Sequence, residues 1–314
     1  MKTVVLVPCY NEAPTIAKVV RSFKVLAPDV DVYVYDNNST DESARLAAEA
    51  GAIVVPEYRQ GKGFVVRSMF RDIEADYYVM VDGDDTYRAD EALALCEFVR
   101  EGRADMVIGD RLSSTYFEQN KRRFHGAGNR LVRSLVNSIF RSDVHDIMTG
   151  CRCFSRMFVK SFPVLSGGFQ IETEMTIHAL DGRFLIREVP IDYRDRPAGS
   201  ESKLDTLPDG LRVLNTIVGL FRDYRPMVFF GIISVVLFVI SLGMFAVPFA
   251  EYLETGLVNR LPTLVVAMAF GTSAMLSLVL GVVLESMRVQ SKQFYELVLT
   301  LLKEQDEIRR AIRV

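Results

Sequence analysis

A chain of 314 residues that is 49% hydrophobic and 25% charged has the composition of a folded protein, which excludes a disordered chain. The formal net charge of −3 excludes the strongly basic balance of a nucleic-acid binder, and no nucleic-acid partner is expected. The four cysteines, Cys9, Cys96, Cys151 and Cys153, form no pair of CxxC knuckles and read as free thiols in a reducing compartment.

The chain opens on a β-branched run, Thr3 to Val7, with no cationic region before an apolar core, so a cleaved signal is not expected. Helical spacing follows over Thr15 to Val25, a strand over Val30 to Tyr35, and a helix over Asp41 to Ala50 with capping oxygens on Ser39, Thr40 and Asp41. Ala52 to Val55 reads as a third strand, Gly61 to Arg71 as a helix, and Tyr77 to Val81 as a fourth strand ending in Asp82-Gly83-Asp84-Asp85. This alternation predicts an α/β domain with a parallel sheet covered by helices. Ligands of such sheets lie at the carboxyl ends of the strands, where Asn11-Glu12, Asp36-Asn37-Asn38-Ser39 and the aspartates after the fourth strand fall.

Met106 to Gly109 is a further strand, and Arg111 to Arg141 then carries seven bases against one acid, Glu118, which suits an anionic membrane surface or a phosphate ligand. Apolar residues Phe124, Leu131, Leu135 and Ile139 give residues 113–141 an amphipathic helical pattern, and Pro208 to Tyr224 carries another, so both are expected at a membrane interface. Met227 to Ala250 and Leu261 to Leu284 contain no Asp, Glu, Lys or Arg, and each is long enough to span a bilayer, which takes about 20 apolar residues. Arg222 and Arg225 precede the first span and Arg288 and Lys292 follow the second, whereas the short linker from Glu251 to Arg260 holds two acids and one base. The positive-inside bias places both termini and the catalytic part in the cytoplasm. Three domains are expected: residues 1–225, a transmembrane hairpin over 227–285, and an amphipathic helix over 286–314 that associates with copies of itself as a homo-oligomer, a tetramer among the options.

Carboxylates spaced i and i+2 at a strand end, as in Asp82 and Asp84, can hold a divalent cation that bridges to diphosphate oxygens. With this feature the chain resembles glycosyltransferase family 2, and within it the polyprenyl-phosphate branch. The resemblance is carried by Val7-Pro8-Cys9-Tyr10-Asn11-Glu12, Asp36-Asn37-Asn38-Ser39-Thr40-Asp41, Gly61-Lys62-Gly63, Asp82-Gly83-Asp84 and Gly109-Asp110-Arg111. It continues through Asp146, Thr149-Gly150-Cys151-Arg152, Gly168-Phe169-Gln170-Ile171-Glu172, Val189-Pro190-Ile191, Arg196 and Ser202-Lys203. Cys151 and the run Asp85-Thr86-Tyr87 depart from the commonest pattern, which leaves open the residue after Asp84 that touches the donor sugar.

The resemblance implies a GT-A, Rossmann-like nucleotide-sugar-binding domain and inverting transfer of a hexose from a nucleotide sugar to polyprenyl phosphate. UDP-glucose or UDP-N-acetylglucosamine is favoured over GDP-mannose. It implies that Pro8, Tyr10, Glu12, Asp36, Asn38, Lys62, Asp82, Gly83 and Glu172 bind the nucleotide sugar, with Asp82 and Asp84 on Mg2+ or Mn2+. Asp146 is the candidate for orienting the acceptor or acting as base. Arg111, Arg130, Arg196, Ser202 and Lys203 are the candidates for its phosphate, with Arg111 and Arg196 also expected to act in catalysis. A lipid phosphate is ionised near neutral pH, with a second pKa near ~6 by analogy with phosphorylated side chains, so cations are expected to matter more than a base. A processive polysaccharide synthase shares the fold, but its QxxRW acceptor motif needs a tryptophan and the chain has none. A non-catalytic scaffold that binds nucleotide sugars remains the alternative of a different class.

Overall fold

The computed structural model describes residues 1–113, 125–164, 170–194, 218–219 and 221–312. The chain divides into two compact units, Met1–Leu207 together with Leu301–Val314, and Pro208–Thr300.

In the first unit, strands β1 (Thr3–Cys9), β2 (Asp31–Asp36), β3 (Ile53–Pro56), β4 (Tyr77–Met80), β5 (Met106–Asp110), β6 (Arg152–Ser155) and β7 (Ile186–Pro190) form one sheet in the order β3-β2-β1-β4-β6-β5-β7. Val4, Val5, Leu6 and Val7 of β1 are fully buried, as are Tyr78, Val79 and Met80 of β4. Such continuous apolar runs are what a sheet covered on both faces requires. Helix α1 (Ile16–Leu26) buries Ile16, Val19, Val20 and Phe23, one stripe at helical spacing, and each large side chain so removed from water contributes about 1.5–3 kcal/mol. Helices α2 (Ser43–Glu49), α3 (Lys62–Asp72) and α4 (Ala89–Arg100) follow the strands as the alternation predicts.

The first four strands pair in parallel, as their alternation with helices predicts, and β6, from beyond that alternation, makes the whole sheet mixed. β6 lies antiparallel between β4 and β5, with Val79 opposite Cys153 and Val107 opposite the same residue. All other pairings are parallel, so the carboxyl ends of β1, β2, β4, β5 and β7 share one edge with the amino end of β6. Of the basic segment, α5 (His125–Phe140) is described; it turns Val132 and Val136 into the unit, and Arg130 is exposed. Residues 114–124 and most of 208–224 lie outside the described residues.

Helix α6 (Arg156–Ser161) and helix α7 (Ile171–Asp181) frame an aromatic cluster in which His178 lies 5.7 Å from Phe158, 5.0 Å from Phe162 and 5.7 Å from Phe184 between ring centroids. Burial pushes the His178 imidazole down to about 4. An unfolded histidine titrates near about 6.5, so the unfolded chain binds more protons between those values and stability falls as pH drops from about 6.5 to 4. The loss from this group is expected to approach about 3 kcal/mol, read as a falling urea midpoint, and His178→Leu is expected to remove that part of the slope.

The second unit is built on α8 (Pro226–Thr255) and the first part of α9 (Leu261–Ile312), each long and apolar enough to cross a membrane. Within it the two helices run antiparallel: Ser234 Oγ donates to Ala274 O at 2.8 Å, Ser241 Oγ to Ala267 O at 2.7 Å and Ser277 Oγ to Phe230 O at 3.0 Å. Gly271 and Gly281 admit the close approach, since a Cβ at either would stand 3.1 Å from Ser241 or Phe230. Val235, Phe238, Leu242, Met275 and Leu276 are exposed, so these are not the core helices of a soluble fold. The second apolar run and the charged tail form one uninterrupted helix rather than two. Its end belongs to the first unit, where Asp306 pairs with Arg156 at 2.5 Å.

Candidate active site

The shared edge of the sheet collects the polar loops. After β1, Asn11 adopts a left-handed φ of 52°, its N–H donating to Ser39 Oγ at 2.9 Å, and the Glu12 N–H donates to Ser43 Oγ at 2.8 Å. These bonds, with the Thr40 N–H donating to Asn11 Oδ1 at 2.8 Å, stitch the first loop, which carries Tyr10 and the buried Glu12, to the segment after β2. Asp36 ends β2; its Oδ2 accepts from the Ser39 N–H at 3.3 Å, whereas Oδ1 is buried and accepts nothing among the described residues. A buried carboxylate oxygen without a donor is costly to the fold.

Asn37 builds the next loop. Its Nδ2 donates to Glu57 O at 3.0 Å and Arg59 O at 2.7 Å, and its Oδ1 accepts from the Gly61 N–H at 2.7 Å. Glu57, gripped by Arg59 and Ser68, braces the same loop; the Arg59 hydrogen bonds hold its carboxyl down at about 2 despite burial. Gly61 has φ 135°, a conformation that favours glycine, and it launches α3 with Lys62 as first residue. Asn37→Ala is expected to unpin this loop and raise the KM for the nucleotide sugar about tenfold, at a loss of about 2 kcal/mol of stability, measured by initial rates and urea unfolding.

Lys62 Nζ bridges Asp82 Oδ1 and Glu172 Oε1, each at 2.5 Å. Burial opposes its charge, but the two carboxylates outweigh burial and hold its pKa above the ordinary lysine value. Glu172 stands in the first turn of α7, so this one cation joins elements 110 residues apart. Gly83 packs against Pro8 O and Glu12 Cγ, both 3.6 Å from where a Cβ would stand, and its carbonyl accepts from Thr15 Oγ1 at 2.7 Å. Asp84 is buried, its Oδ1 accepting from Thr86 Oγ1 at 2.6 Å, while Asp85 turns away to pair with Lys18. The acidic run thus divides: Asp82 meets Lys62 and Gly150, Asp84 is held by Thr86, and Asp85 pairs with Lys18.

On the far side, the Asp82 carboxylate lies so close over Gly150 that a Cβ there would stand 2.2 Å from Oδ2. The Gly150 N–H donates to the Tyr87 hydroxyl at 3.0 Å, and the Tyr87 ring meets Tyr193 edge-on at 6.0 Å. Arg111 lies over Tyr193 at 5.5 Å and forks onto Asp146, Nε to Oδ2 at 2.8 Å and Nη2 to Oδ1 at 3.1 Å. A contiguous line of contacts therefore runs from Glu172 through Lys62, Asp82, Gly150, Tyr87 and Tyr193 to Arg111 and Asp146. Arg152, wholly buried, shapes the connecting loop by donating to Thr149 O at 3.1 Å and Ile147 O at 2.5 Å.

The sequence reading treats Tyr87, Tyr193, Asn37 and Arg152 only as neighbours or motif members; their roles appear once the chain is folded. The motif Thr149-Gly150-Cys151-Arg152 is the sequence signal for the loop. Arg130 is exposed on α5, and Arg196, Ser202 and Lys203 lie outside the described residues. One further group stands beside the site: oxygen and nitrogen atoms of Asp110, His145 and Glu188 lie within 4.8 Å of one another.

Residues 4–162 match the model of glycosyl transferase family 2, just over half of the chain. The chain belongs to glycosyltransferase family 2. This glycosyltransferase is 35% identical over 241 residues to "Glycosyltransferase AglJ" of Haloferax volcanii, covering 76% of this chain and 78% of that one. It is 28% identical to a "Dolichyl-phosphate hexose transferase" of the same organism, covering 70% of this chain and 94% of that one. A solved glucosyl-3-phosphoglycerate synthase of Mycobacterium tuberculosis, in complex with Mn2+, uridine diphosphate and glucosyl-3-phosphoglycerate, superposes with a TM-score of 0.55. It is 22% identical, over 70% of this chain and 78% of that one, and shows the GT-A-like fold of the glycosyltransferase domain.

Proposed function

We propose that this glycosyltransferase carries out inverting transfer of a hexose from a UDP-sugar to polyprenyl phosphate at the cytoplasmic face of a membrane that α8 and α9 span. The observation that carries the reading is the contact line just described. It joins Glu172 and Asp82, on the donor side, to an arginine suited to a second phosphate, Arg111. The apolar helices and the basic residues Arg222, Arg225, Arg288 and Lys292 that flank them favour a lipid acceptor approached from the cytoplasm. The name of the Haloferax volcanii relative, a dolichyl-phosphate hexose transferase, points the same way.

In this reading the nucleoside donates to the orphan Oδ1 of Asp36, between loops held by Glu12 and Asn38. Oxygen ligands on Asp82 and Asp84 fit Mg2+ or Mn2+, and the ammonium of Lys62 already stands where Asp82 and Glu172 demand positive charge. When bound, the cation would neutralise charge gathering on the departing diphosphate. Lys62 adds a fixed positive charge beside it. Arg111, oriented by Asp146, receives the acceptor phosphate bidentately. A phosphate oxygen, ionised already at neutral pH, forms a bond to the anomeric carbon as the bond to the diphosphate oxygen breaks on the opposite side. Asp146 positions Arg111 and takes no proton.

The test is incubation of the detergent-purified full chain with polyprenyl phosphate and a panel of labelled UDP- and GDP-sugars, with Mn2+ or with EDTA. A lipid-linked product from a UDP-hexose, formed only with the metal, is the expected result. No lipid-linked product with any donor overturns the reading. Transfer to a soluble phosphate alone would move the acceptor out of the membrane.

A further inference from the structure

Three side chains next to Arg111 have no place in the proposed transfer. Asp110 is the last residue of β5, Glu188 lies in the neighbouring β7, and His145 stands in the loop that delivers Asp146. Their side chains are 3%, 17% and 51% exposed, so the two carboxylates are largely shielded and the imidazole is the part of the group open to solvent. His145 Nδ1 lies 3.5 Å from Glu188 Oε2 and 4.0 Å from Asp110 Oδ2. A cation with bonds of about 2.0–2.2 Å holds neighbouring ligands about 3.0–3.6 Å apart. The first separation already has this value, and a small rotation of the half-exposed imidazole supplies the second.

The remaining bonds of the two carboxylates leave room for a metal. Asp110 Oδ1 accepts from the Leu112 N–H at 2.8 Å and the Ser113 N–H at 3.3 Å, and Oδ2 accepts from Ser113 Oγ. Glu188 Oε1 accepts from the N–H groups of His145 and Asp146 at 2.8 and 3.0 Å, and Oε2 accepts from that of His145 at 3.0 Å. Each carboxylate is thus locked in orientation by backbone donors. No lysine or arginine pairs with either acid among the described residues.

We infer that Asp110, His145 and Glu188 form a binding site for a divalent transition cation of the Zn2+ or Mn2+ class, separate from the donor site at Asp82 and Asp84. One imidazole nitrogen with two carboxylates suits these ions better than Mg2+ or Ca2+, which favour oxygen throughout. The ion clamps β5 and β7 to the loop after α5, and so fixes the base of the Arg111 and Asp146 pair. It touches neither substrate in the proposed reaction, and it does not depend on that reaction being correct.

The experiment strips the full chain in detergent with EDTA, loads it with Zn2+ without nucleotide, removes free metal by gel filtration and measures retained zinc by mass spectrometry. Wild type and Asp84→Asn are each expected to retain one equivalent, and His145→Ala to retain none. In the metal-free state the melting temperatures of wild type and His145→Ala are expected to coincide, because the histidine side chain is half exposed and its backbone N–H bonds survive. Zinc then raises the melting temperature of wild type and not of His145→Ala. Co2+ in place of zinc is expected to give visible d–d bands that His145→Ala lacks. Wild type that retains no zinc, or His145→Ala that retains as much as wild type, overturns the assignment. Loss of retained zinc in Asp84→Asn but not in His145→Ala would place the ion at the donor site and likewise overturn it.

Discussion

Asp84→Asn is expected to lower kcat about 1,000-fold, equivalent to about 4 kcal/mol, while the fold persists. Asp84 is buried in the turn that follows β4, and its Oδ1 is fixed by the hydroxyl and N–H of Thr86 at 2.6 and 3.3 Å. Asparagine keeps an acceptor for both bonds and nearly the same volume, so the loop retains its shape. What disappears is a negatively charged oxygen fixed by the fold, the feature a divalent cation needs from its ligand. Raising Mn2+ is expected to recover part of the rate, because weakened binding yields to concentration. The control lies one residue on: Asp85 pairs with Lys18 away from the site, and Asp85→Asn is expected to change kcat less than about threefold. A mild Asp84→Asn beside a severe Asp85→Asn would place the cation elsewhere. Initial rates of lipid-linked product at several metal concentrations decide the matter.

That division of the acidic run marks the limit of what the sequence discloses. β1, β2 and β4 are legible because buried strands of a covered sheet read as apolar runs, and α1 because Ile16, Val19, Val20 and Phe23 repeat at helical spacing. β6 is not legible: its four residues include the buried Arg152, whose charge is satisfied by loop carbonyls that no local pattern predicts. α9 is divided in the sequence reading where composition changes from apolar to charged. Composition does not end a helix; a cap or a breaker does, and none intervenes between Leu284 and Lys303. The same distinction holds in the site. Asp36, Asp82, Asp84, Arg111 and Asp146 stand out by residue type and position, but their partners do not, because Lys62 with Glu172 and Arg111 with Asp146 meet across 110 and 35 residues. Partnership determines whether an acid holds a metal, orients a cation or takes a proton.

For Asp146 the partnership leads to the second large effect. Asp146→Asn and Arg111→Lys are each expected to lower kcat/KM about 100-fold, and the double variant to be little worse than either single one. The pair is nearly dry, with side-chain exposures of 11% for Arg111 and 1% for Asp146, and the guanidinium makes two hydrogen bonds to the carboxylate that a lysine cannot reproduce. Breaking such a pair by removing one partner costs about 3–5 kcal/mol of stability, so melting temperatures should fall in each single variant. The pH–rate profile separates positioning from proton transfer. Were Asp146 the base, its replacement would abolish the acidic limb of the profile and leave Arg111→Lys with that limb intact. With Asp146 holding Arg111, both variants keep the wild-type profile at a reduced height, because the attacking phosphate oxygen needs no proton removed near neutral pH. A double variant that multiplies the two losses would mean that the residues act separately, and Asp146 would then have a role of its own in the reaction.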